Sequence, residues 1–378
     1  LIRINAVADL LLETTPEPAS DRQGGCVPSS MVWRFTDPDE YAASIRAVKV
    51  EISVTQPRYF EAKLVRIDLH KMWMQRFSET LPRIAHFDLV RGRAIISFPT
   101  KSGPRLLCGG IEIQPTDMVR YSEAHSSFNR SNGSVHFGSM SLPVADLDAL
   151  GASFSSSNFT PPRQPLVFRP AAAAMQRLQK LHAAAGRLAE DTPDVIASPE
   201  AARGLEQALL GAMADCLCPT DGQWARSGNH RREKIMKRFF ATLEVNPDGV
   251  LHMPEICATL GVSNRGLTTY CHDTLGMSPH RYLKLRQMHL ARRALIMADP
   301  ASATVTEIAT SCGFWELGRF STLYRALFGE PPSVTLRRLR DAGYPAVLAG
   351  PLSSNVIMYD GWKSVGTRKL DLGLNESG

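Results

Sequence analysis

The chain has 378 residues, is 44% apolar and 21% charged, and carries a net charge of +6. That length suits two or three domains with a sizeable buried core, which excludes a disordered or fibrous chain. No apolar run approaches membrane-spanning length, no secretory signal opens the chain, and seven scattered cysteines make no disulfide framework, so a reduced cytoplasm is expected.

In chain order, residues 1–30 are weakly patterned and end in a turn-rich patch (Gly24, Gly25, Pro28, Ser29, Ser30), as expected of a weakly ordered leader. From 31 to 165 the texture turns to apolar stretches of strand length. "AVKVEISVT" alternates at Val48, Val50, Ile52 and Val54, and "YFEAKLVRIDL" at Leu64 or Val65 through Ile67 and Leu69. "RAIISFPT" and "GGIEIQPTDMV" follow, with Gly, Pro and Asn between, which is the spacing of an all-β barrel or sandwich. His70, His86, His125 and His136 fall here, but none forms an H-x-H pair, so no metal or other cofactor is expected. Arg66, Arg83, Arg91, Arg93 and Arg120 are candidates for lining a pocket for an acidic effector, although surface arginines explain them equally well.

A Ser/Pro-rich crossing (151–165) leads into a helical connector, 166–225. Pro170 to Ala189 puts Met175, Leu178, Leu181, His182, Ala185 and Leu188 on one stripe; Pro199 to Cys218 does the same with Leu205, Ala208, Leu209, Ala212, Met213 and Cys216. Such stripes must pack on something, either the β domain or a second copy of the chain. Cys216 and Cys218 lack a second ligand pair and read as packing residues. After a Gly/Asn break (Gly222 to Asn229), "RREKIMKRFFATLEVNP" is an amphipathic helix with Ile235, Met236, Phe239, Phe240 and Leu243 inward.

From Arg231 to Arg340 the chain holds 16 Lys and Arg against 9 Asp and Glu, a surplus of 7 that exceeds the net charge of the whole. A solvated basic face would account for the charge alone. The same span, however, repeats itself. "EICATLGVSNRGLTTYCHDTLGMSP" and "EIATSCGFWELGRFSTLYRALFGEPP" align with Glu255 on Glu307, Gly261 on Gly313, Gly276 on Gly329 and Pro279 on Pro332. Each copy reads as a short helix, a glycine turn and a second helix with a polar start: a helix-turn-helix, whose second helix enters a DNA major groove. In the first copy Ile256, Leu260, Val262, Leu267 and Tyr270 face inward, Ser263 caps the second helix, and Asn264, Arg265, Thr268, Thr269 and His272 are left outward. In the second, Ile308, Ala309, Phe314, Phe320, Leu323, Tyr324 and Phe328 are inside. Glu316, Leu317, Gly318, Arg319, Ser321, Thr322 and Arg325 are outside. Arg265, Arg319 and Arg325 suit guanine or phosphate, and Glu316 suits a cytosine amine. Between the copies, Pro279 to Ala298 reads as one helix about 30 Å long, close to the ~34 Å between successive major-groove windows. Arg281, Lys284, Arg286, Arg292 and Arg293 give this rod a basic side.

Segment 231–338 resembles the DNA-binding domain of the AraC/XylS family of bacterial transcriptional regulators. The likeness rests on "EICATLGVS", "LGMSPHRYLKLRQMHLARRALI", "VTEIATSCGFWELGRFSTLYRALFGEPP" and the trailing arginines, a little under a third of the chain. The family's usual small hydroxyl is replaced by Gly318, and its aromatic–basic pair by Thr335–Leu336. The resemblance implies an α+β chain: an N-terminal β-rich, cupin-like barrel as regulatory domain, the helical connector, and an all-α double helix-turn-helix at 230–340. It further implies no enzyme but a regulator that binds double-stranded DNA, answers to a small-molecule effector, works as a homodimer and contacts RNA polymerase, nucleoid-associated when bound. The rival reading is a cupin-type metal-dependent enzyme with an appended DNA module. Residues 341–378 have no sustained period and are expected to be a disordered tail.

Overall fold

The computed structural model describes residues 27–57, 59–121, 126–153, 159–162, 164–218, 225–226, 230–245 and 251–337. The expected leader up to residue 26 and the expected tail lie outside them. Ser29 and Ser30, read above as the end of the leader, instead open a strand, β1 (Ser29–Phe35), which leads into a short helix, α1 (Pro38–Ser44).

Antiparallel strands then follow closely: β2 (Val48–Val54), β3 (Ala62–Asp68), β4 (Trp73–Glu79), β5 (Arg83–Leu89) and β6 (Arg93–Pro99). Three short ones, β7 (Leu106–Cys108), β8 (Ile111–Ile113) and β9 (Met118–Arg120), precede β10 (Ser126–Ser131) and β11 (Val135–Pro143). After α2 (Val144–Ser153) come β12 (Leu166–Phe168), α3 (Ala172–Asp191), α4 (Pro193–Ala197), α5 (Pro199–Leu217) and β13 (Ala225–Arg226). The β-rich half is built as two sheets, not one closed cylinder. One runs β1-β3-β4-β11-β6-β9-β12-β13, the other β2-β5-β10-β7-β8.

Strand alternation assigns each face of both sheets a different neighbour. On the larger sheet, Val65, Ile67, Met74, Ile96, Phe98 and Met140 point outward into one core with Met175, Leu178, Ala185, Leu209, Ala212 and Met213 of α3 and α5. The two helical stripes are therefore used up within the chain, covering the sheet; they are not left free for a second copy. His182, on the same stripe, is fully buried, and burial with the nearby Arg76 charge depresses its pKa to about 3, so it is a neutral core imidazole. The opposite face of the larger sheet, with Trp73, Gln75, Phe77, Ile95 and Ser97, meets Val48, Val50, Ile52, Ala85 and Phe87 of the smaller sheet around a cavity of about 100 Å³.

The last third is helical: α6 (His230–Val245), α7 (Met253–Leu260), α8 (Asn264–Leu275), α9 (Pro279–Met297), α10 (Val305–Ser311), α11 (Leu317–Phe328) and α12 (Pro332–Arg337). It has two cores. Met236, Phe239 and Phe240 of α6 join Ile256, Leu260, Leu267, Cys271 and Tyr282 in the first, together with Ile84 and Phe128 from the outer face of the smaller sheet. Met288, Ala291 and Leu295 of α9 join Ile308, Ala309, Phe314, Phe320 and Tyr324 in the second. The layers thus run helices, sheet, cavity, sheet, helices. Among the described residues no helix is long and apolar enough to cross a membrane.

Candidate nucleic-acid interface

The two repeats fold alike for the same local reasons. All four glycines matched between them sit at positive φ: Gly261 at 66°, Gly276 at 71°, Gly313 at 81° and Gly329 at 78°. A side chain at these points would strain the backbone, so the repeat of glycine in sequence is a repeat of turn geometry. Ser263 caps α8 by accepting from the Gly266 amide at 3.1 Å. In the second copy the capping box lies one helix earlier: Thr304 accepts from the Glu307 amide at 3.2 Å, and Glu307 accepts from the Thr304 amide at 2.9 Å. Glu316 stands at the N-cap of α11 without a side-chain bond to the backbone there.

The outward set expected from sequence is placed as follows. Ser263, Asn264, Arg265, Thr269 and His272 are exposed on the first candidate reader, and Thr268 is half-buried. On the second, Glu316, Gly318, Arg319, Thr322 and Arg325 are exposed and Ser321 is half-buried. Leu317 departs from expectation, because its side chain is half-buried against the second core and is taken up in packing. Two hydroxyls turn back on their own helix: Thr269 donates to the Arg265 carbonyl at 3.1 Å and Thr322 to the Gly318 carbonyl at 3.0 Å. Arg319 pairs with Glu316 at 3.5 Å.

One residue at this surface stands outside the set expected from sequence. Trp315 is 63% exposed immediately before the second reader, an unusual position for the largest apolar side chain. Its neighbour Phe314 is buried, and only the phase of the turn decides between them. Lys284, on α9, sets its ammonium 3.9 Å from the Phe314 ring centre. Partial burial, then the charge of Arg319, hold its pKa below the usual range, which ties the rod to the second reader. The departures at Thr335 and Leu336 are filled inward, unlike exposed Gly318: Thr335 is buried, accepts from the Tyr324 hydroxyl at 2.9 Å and donates to Glu330 at 2.7 Å, while Leu336 joins the second core.

The rod α9 is unbroken over 19 residues, which spans about 28 Å at the helical rise. Its basic side is divided, which corrects the expectation of one continuous face. Arg281 and Lys284 are exposed, but Arg286, Arg292 and Arg293 turn toward the β half. Arg292 reaches Asp37 at 2.5 Å and Asp39 at 3.4 Å; Arg293 reaches Asp39 at 2.7 Å and Glu51 at 3.8 Å; Arg286 reaches Glu51 at 3.4 Å. Burial alone would raise the Asp37 and Glu51 carboxyls, but the arginines outweigh it and hold both below the usual carboxylate range. His289, fully buried between them, meets the Val54 carbonyl at 3.2 Å. Farther along, the His86 ring stacks on Phe240 at 4.5 Å and meets Glu244 at 3.1 Å.

Every one of these β-side groups lies on the outer face of the smaller sheet or on α1 and its cap. Glu51 and His86 alternate with Val50, Ile52, Ala85 and Phe87, which line the cavity. One sheet therefore carries the cavity wall on one face and the reader's dock on the other. Of the arginines offered above for a pocket, only Arg83 lines the cavity, joined by Arg46. Arg66 pairs with Asp68, Arg93 bonds Ser141, Arg120 donates to the Thr160 carbonyl, and Arg91 is exposed. His70 meets the Pro199 carbonyl at 3.3 Å, and among the described residues no cluster of three or more His, Cys, Asp or Glu could hold a metal ion.

A helix-turn-helix domain family matches residues 256–338. The "Probable thc operon regulatory protein" of Rhodococcus erythropolis is 42% identical over 95 residues, 25% of this chain and 29% of that one. The "XylDLEGF operon transcriptional activator 2" of Pseudomonas putida is 30% identical over 112 residues, 30% of this chain and 71% of that one. A solved structure, a probable AraC family transcriptional regulator from Rhodopseudomonas palustris, is 34% identical with a TM-score of 0.26, covering 28% of this chain and 96% of that one. The chain spans under a third of the thc regulator's length but over two thirds of the shorter activator's.

Proposed function

The chain belongs to the AraC/XylS family of transcriptional regulators, and on that premise we propose that it is a sequence-specific DNA-binding regulator whose activity a small effector controls. The reader, 230–340, places α8 and α11 in successive major grooves of double-stranded DNA. Asn264, Arg265, Thr268, His272, Glu316, Gly318, Arg319, Ser321 and Arg325 meet bases or phosphates, and Ser263, Thr269 and Thr322 support the helix starts. The regulatory half, 31–165, with the connector 166–225, holds the effector in the cavity between the sheets. The protein acts in the bacterial cytoplasm, as a homodimer able to contact RNA polymerase.

The observation that carries this reading is the division of the rod: its outer side keeps cations exposed beside both readers, while its inner side is neutralised against the cavity-bearing sheet. An effector that shifts Val50 or Ala85 moves Glu51 or His86, their strand neighbours, and so the dock of the reader.

A gel shift on the gene's own upstream region, run at two salt concentrations, tests the proposal. Binding should prefer a bipartite site of roughly 15–20 base pairs and weaken with a log–log salt slope of about −0.9 per phosphate neutralised. Equal affinity for random DNA throughout would sink it.

A further inference from the structure

We propose that the cavity between the sheets takes a small, uncharged, mostly apolar molecule with one hydrogen-bond acceptor and one donor, such as a primary carboxamide, and rejects the carboxylate of the same shape. The inference rests on reading this cavity as the effector site and adds the chemistry of what fills it.

Size comes first. The cavity holds about 100 Å³, walled by Val50, Ile52, Ala85, Phe87 and Ile95 and by the Trp73 ring. Dry apolar cavities of about 150 Å³ take a benzene ring, so the occupant is of that order or smaller.

Charge comes next. The one fully buried cation on the wall is Arg83, 6% exposed, and it is already answered. Its Nε donates to Glu79 Oε2 at 2.6 Å and its Nη2 to Oε1 at 3.2 Å, while the Tyr41 hydroxyl donates to the same Oε1 at 2.9 Å. An incoming carboxylate would find no unpaired cation there and would stand beside the Glu79 carboxylate in a medium that screens poorly. Arg46, the other cation on the wall, is a third exposed, pairs with Asp68 and lies 5.9 Å from the Trp73 ring centre. Its charge is spent and partly screened by water.

Polarity completes the description. Three wall residues each keep one buried polar atom that finds no partner among the described residues: Arg83 Nη1 and Trp73 Nε1, both donors, and Asn129 Oδ1, an acceptor. Buried polar groups are costly to leave unmatched, and a carboxamide offers all three a counterpart: two lone pairs on its one carbonyl oxygen for the donors and an N–H for Asn129. A hydrocarbon of equal size satisfies none of them.

The test uses the full chain, titrated calorimetrically with two matched pairs, isobutyramide against isobutyrate and benzamide against benzoate, at pH 7.5. Each amide should bind at least tenfold tighter than its carboxylate. Asn129→Leu should lower amide affinity about tenfold, and Ala85→Trp or Val50→Phe, two independent ways of filling the cavity, should abolish it. Carboxylates that bind as tightly as the amides, and are lost on filling the cavity, would overturn the ligand class while keeping the cavity as the effector site. No binding by any probe, or binding indifferent to both filling substitutions, would overturn the cavity reading along with the class.

Discussion

Arg265 and Arg319 stand one position apart in the matched helices, second in α8 and third in α11, and start from different states. Arg265 is exposed with no side-chain partner among the described residues, whereas Arg319 is held by Glu316 at 3.5 Å. Replacing either by Ala should cost about 1–3 kcal/mol on the specific site and relax preference at one base position. The exposed Arg319–Glu316 pair is itself worth about 0–1 kcal/mol, so Glu316→Ala should leave folding unchanged and isolate what Glu316 reads. Competition gel shifts against single-base variants separate the cases; equal losses on random DNA would reduce both arginines to phosphate contacts. His289 makes a different prediction. It is fully buried, and burial, partly opposed by Asp39 and reinforced by Arg293, brings its pKa to about 4. Unfolded, it would titrate near 6.5, so below that pH the unfolded chain binds a proton the folded chain refuses. Stability contributed here is complete above about pH 6.5 and falls toward pH 4, by at most ~1.4 kcal/mol per pH unit. Urea midpoints at pH 7.5 and 5.5 should converge in His289→Gln relative to the unaltered chain, while the slope from His182, of the same sign, remains. An unchanged difference would show that His289 is already accessible to protons.

At the level of elements, the rod α9 sets a distance. Its 19 unbroken residues span about 28 Å, and both of its ends are built into the cores of the two readers through Tyr282 and through Met288 and Leu295. A strut packed at both ends does not stretch. Five base pairs inserted between the half-sites should therefore reduce affinity to that of one reader, and ten should not restore it, although ten return the second half-site to the same face. Recovery at ten would mean that the readers move independently. This element was legible in advance because its signals are local: Pro279 opens an uninterrupted helical run, and glycines at matched offsets on either side each need a left-handed turn. The β half was only partly legible. Val48, Val50, Ile52 and Val54 announced β2 by alternation, but β4 and β5 are buried on both faces, at Trp73, Met74 and Gln75 and from Arg83 to Phe87. A strand without an exposed face loses the alternation that betrays it. Their division into two sheets around a cavity is set by long-range pairing that no local pattern records.

At the level of the molecule, the dock between the halves was invisible in sequence because its partners are so distant: Arg292 and Asp37 are 255 positions apart. Reading α9 alone, three arginines on one side look like a surface for phosphate; only the fold supplies Asp37, Asp39 and Glu51 opposite them. The pairing makes the two halves interdependent. Asp39 answers two arginines at once, Arg293 at 2.7 Å and Arg292 at 3.4 Å, with Arg292 6% exposed at its side chain. Removing one member of a buried ion pair strands the other, at a cost of about 3–5 kcal/mol, whereas replacing both by apolar groups can be nearly neutral. Asp39→Asn should therefore undock the reader, splitting a single thermal transition into two and raising amide exchange along residues 279–297. The double change Asp39→Asn with Arg293→Met should recover a good part of the lost cooperativity, because the stranded charge is gone. The contacts of Ile84 and Phe128 with Phe239 and Phe240 remain in both variants, so they serve as an internal control. If Asp39→Asn alone leaves one transition and unchanged exchange, those apolar contacts hold the dock unaided. The route from cavity to reader would then run through Ile84 and His86 on β5 rather than through Glu51 on β2.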